Sequence, residues 1–256
     1  MFDTHVHTTF STDSKMTLEE ALRTAEEKGM GVTLTEHMDL NCRSEGKFVF
    51  DIDKYFSEYE RFRGPKLLLG IELGLTEEFR EENKRIADNN PFDYVIGSIH
   101  FLGNYDIYYP EFYDGMSKSE AYREYLLTMK SNICGEKFFD SLGHIDFICR
   151  YAPYEDKEIY MEEYGDYVDE VLKALIASNI AMEINTRRLN DRAAVKNLLS
   201  IYMRYKALGG EFVTIGSDAH TPKAIGFNYR SAVEIAERAS LKAVYFRERK
   251  MEYMTY

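Results

Sequence analysis

No apolar run in this 256-residue sequence approaches the length of a membrane span, and its acidic start lacks the basic and apolar regions of a signal peptide. Cysteine is scarce. Cys42, Cys134 and Cys149 are odd in number and lack CxxC spacing, which argues against a disulfide framework and for reduced thiols in a cytoplasmic setting. Positive charge is also in deficit. A formal net charge of −12 at pH 7 weighs against sequence-independent nucleic-acid binding, which needs lysine and arginine to displace counterions. An anionic substrate stays open, because bound cations reverse the field locally. Internal repeats, low-complexity tracts and linkers are missing too, so one domain over residues 1–256 is expected.

What is present is the composition of a globular protein, 45% hydrophobic and 30% charged. Apolar runs and helical patterns alternate at least seven times along it. A short opening strand carries His5 and His7. Thr17-x-x-Glu20 reads as a capping box for a helix to about Lys28, and Val32–Leu34 is a strand leaving Glu36 and His37 at its exit. The polar stretch through Gly46 reads as a loop in which Cys42 and Arg43 could line a site mouth. Asp51 caps a helix with Tyr55, Phe56, Tyr59 and Phe62 on one core-facing stripe. The run from Lys66 to Ile71 delivers Glu72, and the strand Asp93–Ile99 ends in His100.

Residues 103–115 hold Tyr105, Tyr108, Tyr109, Phe112 and Tyr113 without periodicity, the look of a functional loop or lid. Ser117-x-x-Glu120 is a second capping box, a weak strand Phe138–Leu142 leads to His144 and Asp146, and a helix spans about 158–179. The strand Ile180–Ile184 precedes Arg187 and Arg188, and a helix near 191–208 leads to Phe212–Ile215, which gives Asp218 and His220. A helix near 231–239, a short eighth strand Ala243–Phe246 and a polar tail complete the chain.

Such alternation predicts an α/β fold with a parallel sheet. A barrel is favoured over an open sheet because strand after strand delivers a chemically active side chain at its C-terminal end, and in a barrel those ends converge on one face. All six histidines (His5, His7, His37, His100, His144, His220) fall at or just past a strand end. Residues two apart on a strand point the same way, so His5 and His7 present both imidazoles to one side. With Glu72, Asp218 and Asp13 they make nine nitrogen and oxygen ligands. That is too many for one tetrahedral zinc and suits two or three hard or borderline cations such as zinc, manganese or iron.

In order and spacing, His5-x-His7, Glu36-His37, Glu72, His100, Gly-His144 and Gly-Ser-Asp218-Ala-His220 resemble the polymerase and histidinol phosphatase (PHP) superfamily. The stretches Asp93–Phe101, Gly143–Tyr151, Glu183–Thr186 and Gly216–His220 are similar to its histidinol-phosphatase branch. The resemblance runs from the first strand to the last. It implies a distorted (β/α)7 TIM-like barrel with a trinuclear metal centre. The first metal would take His5, His7, Glu72 and Asp218, the second Glu72, His100 and His144, and the third Asp13, His37 and His220.

The resemblance further implies a phosphomonoesterase acting on L-histidinol phosphate in histidine biosynthesis, with a metal-bridging hydroxide attacking phosphorus. Glu72, Asp218 and His220 are then the catalytic side chains, either of the last two being able to protonate the leaving alcohol. Arg150 with Arg187 or Arg188 would bind the phosphate oxygens. Here the sequence departs from the family, since a small Ser-Gly pair is expected where Arg187-Arg188 stands. Glu36, Asp39 and Asp146 are candidates for an acidic rim facing the substrate's ammonium and imidazole. The competing readings are a phosphoesterase of another small metabolite, an exonuclease-like phosphodiesterase, an amidohydrolase and a non-catalytic metal-binding module.

Overall fold

A computed structural model describes residues 1–42 and 47–255. Arg43 lies outside them, and Cys42 is half-buried away from the cavity described below. The chain alternates strand and helix: β1 (Phe2–Val6), α1 (Leu18–Glu27), β2 (Gly31–Met38), α2 (Ile52–Tyr59), β3 (Leu67–Gly74), α3 (Arg80–Asn89), β4 (Tyr94–Ser98) and a small hairpin of β5 (Phe101–Leu102) and β6 (Tyr105–Asp106). Then come α4 (Lys118–Ile133), β7 (Ser141–Leu142), α5 (Ile148–Tyr151), α6 (Met161–Ala177), β8 (Ala181–Asn185), α7 (Arg192–Ala207), β9 (Phe212–Gly216), α8 (Tyr229–Arg238), β10 (Lys242–Arg247) and β11 (Lys250–Tyr253). No helix among the described residues is long and apolar enough to cross a membrane.

Both capping boxes form, at Thr17/Glu20 and Ser117/Glu120, each satisfying two backbone N–H groups that a helix start leaves open. On α2 the aromatic stripe holds at Tyr55 and Tyr59 but not at Phe62. There the chain tightens into a 3₁₀ turn, and Phe62 swings out to 41% exposure.

Seven parallel strands, in the order β1-β2-β3-β4-β7-β8-β9, form the ring of a nine-stranded sheet in which β10 adds a short parallel pairing to β9 at Lys242 and Ala243; every residue of β2 and β3 is buried. The sheet curls until its ends meet. Between β9 and β1 the ladder shrinks to one parallel bridge, Val6–Ala219, where His7 N–H donates to Ala219 O at 2.9 Å and Ala219 N–H to His5 O at 3.2 Å. Asp3 bolts the seam, accepting from Ser217 N–H at 2.8 Å, Ser217 Oγ–H at 2.5 Å and Gly226 N–H at 2.8 Å. The fold is thus the α/β, TIM-like architecture expected, with one seam closed by a few bonds instead of a full ladder.

Chain ends behave less simply than the sequence suggests. The residues read as a polar tail pair with β10 as an antiparallel hairpin. This hairpin plugs the N-terminal end of the ring. Val244 and Phe246 pack with Tyr94, Ile96 and Ala181, Phe246 stacking on Tyr94 at 5.5 Å between ring centres. Burying each of these two side chains is worth about 1.5–3 kcal/mol.

Candidate metal centre

Period-two alternation carries the interior from the plug up to the site. On β8, Ala181 belongs to the apolar layer at the plug, whereas Glu183 and Asn185, two and four residues on, face the polar end of the ring. On β4, Tyr94 and Ile96 pack below and Ser98 donates to Glu72 Oε1 at 2.6 Å above. At that C-terminal end all six histidines, Asp13, Glu72 and Asp218 come together.

Four donor atoms surround one point. His5 Nε2 lies 3.3 Å from Glu72 Oε2 and 3.8 Å from Asp218 Oδ1, and His7 Nε2 lies 3.6 and 3.5 Å from the same two oxygens. Bonds of about 2.0–2.1 Å to a tetrahedral zinc set its donors roughly 3.3–3.4 Å apart, and these four spacings lie at or a little above that range. His5 Nε2 and His7 Nε2 are buried and have no hydrogen-bond partner, a costly condition that a cation would relieve, while Glu72 Oε2 also lies 2.9 Å from His37 Nδ1. A second cluster joins Glu72 Oε1 to His100 Nε2 at 3.3 Å and to His144 Nε2 at 3.0 Å. A third triangle has Asp13 Oδ2, His37 Nε2 and His220 Nε2 as corners, with sides of 3.5, 3.0 and 3.4 Å. The donor chemistry and spacing of all three sets fit divalent ions.

Ring orientation is fixed from behind, largely by residues that sequence reading did not single out for this work. A carboxylate can only accept, so Glu183 Oε1 at 2.7 Å and Asp39 Oδ1 at 2.9 Å place protons on Nδ1 of His5 and His100 and leave Nε2 for a metal. Ser11 gives its own proton to Glu36 at 2.6 Å and therefore accepts from His7 Nδ1 at 3.0 Å. Glu183 also takes the His144 N–H at 2.8 Å. Its signal in the sequence was a carboxylate inside an otherwise apolar strand. Gly216 gives it room, because a Cβ there would collide with the Glu183 carboxylate and His5. Asp218 adopts φ 55°, a left-handed conformation rare for a side-chain-bearing residue, held by its pairings on both sides.

The buried charges of this cluster shift one another away from their ordinary protonation. Burial works against the Glu72 charge, yet His5, His100 and His37 hold its carboxyl well below the usual range. Burial also opposes charge on His5, and Glu72, Glu183 and Asp218 nonetheless hold its imidazolium well above the ordinary value. His7, buried beside His37 and His220, goes the other way. Asp218 stays ionised chiefly because Arg150 and His5 outweigh burial.

The arginines divide. Arg150 Nη1 donates to Asp218 Oδ2 at 2.6 Å and Nη2 to Asn185 Oδ1 at 2.9 Å, while its buried Nε–H has no partner. Arg187 reaches the same Asp218 oxygen at 3.5 Å and is half-exposed. Both line a cavity of about 430 Å³ above the histidines. Arg188 does not line it, being held by Asp146 at 2.9 Å and by Glu158. The acidic rim expected of Glu36, Asp39 and Asp146 is absent: each carboxylate is engaged by the protein's own donors, Glu36 by Thr8 and Ser11, Asp39 by His100 and Asp146 by Arg188.

The chain belongs to the PHP domain family, whose profile matches residues 3–187. Within that class it is 52% identical, over 99% of both chains, to a probable histidinol-phosphatase of Clostridium acetobutylicum, and 33% identical to the histidinol-phosphatase of Lactococcus lactis, over 93% of this chain and 90% of that one. The crystal structure of the L. lactis histidinol phosphate phosphatase, complexed with zinc, L-histidinol and phosphate, superposes with a TM-score of 0.91 at 32% identity and 98% coverage of each chain.

Proposed function

We propose that the protein is a metal-dependent phosphomonoesterase that hydrolyses L-histidinol phosphate to L-histidinol and phosphate. The observation that carries this reading is the convergence, beneath one cavity, of buried unpartnered metal-donor atoms with two arginines that meet on Asp218. The near-full-length relatives named histidinol-phosphatase, and the zinc, L-histidinol and phosphate held by the L. lactis structure, support the metal class and the substrate.

In this proposal three divalent ions, zinc, manganese or iron, are held by His5, His7, Glu72 and Asp218; by Glu72, His100 and His144; and by Asp13, His37 and His220. Such ions supply Lewis acidity and activation of water for an in-line displacement. The chain's own residues do the rest. Arg150 and Arg187 offer forked N–H groups to the phosphate oxygens, and the free Arg150 Nε–H suits an added anion. Asp218 locks Arg150 in place with Oδ2 while turning Oδ1 to the histidines. His220 stands at the cavity edge beside Asp218, its Nδ1 3.0 Å from the Asp218 carbonyl; Asp218, ionised at rest, can serve the departing alcohol only after it has itself taken up a proton. Arg188 belongs to the scaffold. One domain spanning 1–256 in a cytoplasmic setting completes the proposal.

Phosphate release from L-histidinol phosphate by metal-reconstituted protein, beside a panel of other phosphomonoesters and a chelator-treated control, tests it. The expected result is a strong preference for L-histidinol phosphate that chelation abolishes. Broad weak turnover would shift the protein to another phosphate ester, and no turnover with metal bound would sink the phosphatase reading.

A further inference from the structure

Glu36 stands beside His37 in the sequence, yet it does not line the cavity above the histidines. It is fully buried on β2, and no lysine or arginine among the described residues pairs with it. A buried carboxylate without a close cation is destabilising, so its presence calls for a use.

What Glu36 holds is the loop that leaves β1. Thr8 N–H donates to both its oxygens at 3.0 Å, Thr8 Oγ–H to Oε1 at 2.6 Å and Ser11 Oγ–H to Oε2 at 2.6 Å. Over this loop the backbone closes two turns, Ser11 N–H on Thr8 O at 3.0 Å and Ser14 N–H on Ser11 O at 3.1 Å. Asp13 rides on the second turn. Ser14 Oγ ties the far end, lying 3.0 and 3.2 Å from the His7 and His220 carbonyls.

The hydrogen bonds around Ser11 run in one direction. A carboxylate accepts, so the Ser11 proton is committed to Glu36 and the hydroxyl's lone pairs are left to accept. One takes the His37 N–H at 3.1 Å, and the other faces His7 Nδ1 at 3.0 Å. His7 therefore carries its proton on Nδ1 and turns a bare Nε2 to Glu72 and Asp218. A carboxylate in direct contact does the same for His5 and His100; for His7 a hydroxyl stands between. The second arm leads elsewhere. Thr8 Oγ, its proton given to Glu36, accepts from Tyr59 O–H at 3.1 Å, at the end of α2.

We propose that Glu36 is a positioning residue of the metal centre, acting through Ser11 to fix the tautomer of His7. This rests on the metal part of the phosphomonoesterase reading. It gives Glu36 the work of a remote orienting carboxylate, one hydroxyl removed from the ring that it controls.

Glu36→Gln keeps the shape and removes one acceptor. An amide has a single oxygen, so one of the two hydroxyls must accept from its N–H group. Where that is Ser11, the Ser11 proton turns to His7 Nδ1 and the imidazole proton moves to Nε2. The readouts are the His7 ring-nitrogen signals of metal-free protein in nitrogen NMR, and zinc affinity by competition with a chromophoric chelator. Wild type should show His7 protonated on Nδ1. Glu36→Gln should show a share of the Nε2–H form, with zinc affinity about tenfold lower. Ser11→Ala cuts the relay but leaves Glu36 its Thr8 bonds, and should lower affinity by about the same factor. Thr8→Val also deletes one buried hydroxyl on Glu36, but on the arm to Tyr59, and should leave both readouts at wild-type values. Equal affinity losses in Ser11→Ala and Thr8→Val would mark a purely structural anchor and overturn the inference. That pair decides alone if Glu36→Gln fails to fold. Unchanged affinity and an unchanged His7 tautomer in Glu36→Gln and Ser11→Ala overturn it too, with the phosphatase reading left intact. Wild-type protein that binds no zinc sinks the metal reading and the inference together.

Discussion

The two ends of the ring make a controlled comparison, since each buries carboxylates beside cationic or cation-competent groups. At the plugged end two buried carboxylates are fully matched. Asp93 accepts from Arg63 Nε and Nη2, both at 2.8 Å, and from the N–H groups of Leu69 and Glu248, both at 2.9 Å. Asp140 accepts from Arg249 Nε at 2.6 Å and Val95 N–H at 2.9 Å. At the open end His5 Nε2 and His7 Nε2 lie 3.3 and 3.6 Å from Glu72 Oε2 and have no hydrogen-bond partner. Same strands, same polar chemistry, opposite bookkeeping. The satisfied end holds the fold together, and the unsatisfied end is kept for ions and substrate.

The sharpest way to break the comparison is to exchange the phenotypes of the two ends. Glu72→Gln should lower phosphatase activity by at least about a thousandfold, the scale of removing several kcal/mol of metal-derived stabilisation. The unfolding midpoint of its metal-free form should hardly move, as urea titration followed by circular dichroism would show. Asp93→Ala should do the reverse. It strands Arg63 and two backbone N–H groups, so stability should fall by about 2–4 kcal/mol while activity per folded molecule is retained. Catalytic loss in Asp93→Ala that exceeds the unfolded fraction would end the division between the ends.

A smaller effect sharpens the picture at the open end. His5, His37 and His100 hold protons more tightly than ordinary histidines. Burial opposes each charge, but Glu72 outweighs it at His5 and His37, and Asp39 with Glu72 does so at His100. A metal must displace those protons, so apparent affinity falls as pH falls. Because the values lie above the ordinary 6.5, affinity should still be climbing above that pH. Competition with a chromophoric chelator between about pH 6 and 9 measures it. Glu183→Gln should weaken binding by about tenfold through loss of His5 orientation. A pH-independent affinity would show that the imidazoles enter unprotonated.

Much of this is legible in the sequence alone. Strand–helix alternation gave the fold class, and the placing of all six histidines at strand ends gave the face on which the site lies. The groups behind the rings were harder to see, because Asp39 and Glu183 meet His100 and His5 only through tertiary structure, 61 and 178 residues apart. Arg187 and Arg188 are adjacent, and only their carboxylate partners separate them. The terminal hairpin was hidden for a local reason. Its turn places Glu248 and Arg249 at φ 49° and 62°, a conformation usually marked by Asn-Gly. Here Asp93 supplies the encouragement instead, accepting from Glu248 N–H through its carboxylate and from Arg249 N–H through its carbonyl.

The seam between β1 and β9 also sets a timetable. His5 and His7 belong to the β1 segment, yet Asp218 joins them only when β9 docks, and Asp3 waits for Ser217 across 214 residues. Contacts of such separation form late, after loop closure has been met by other gains. The metal pocket therefore cannot nucleate folding in the way a zinc finger's does. On this geometry the hydrophobic strands bring the imidazoles together, and an ion bound among them would meet its full donor set only once β9 has docked.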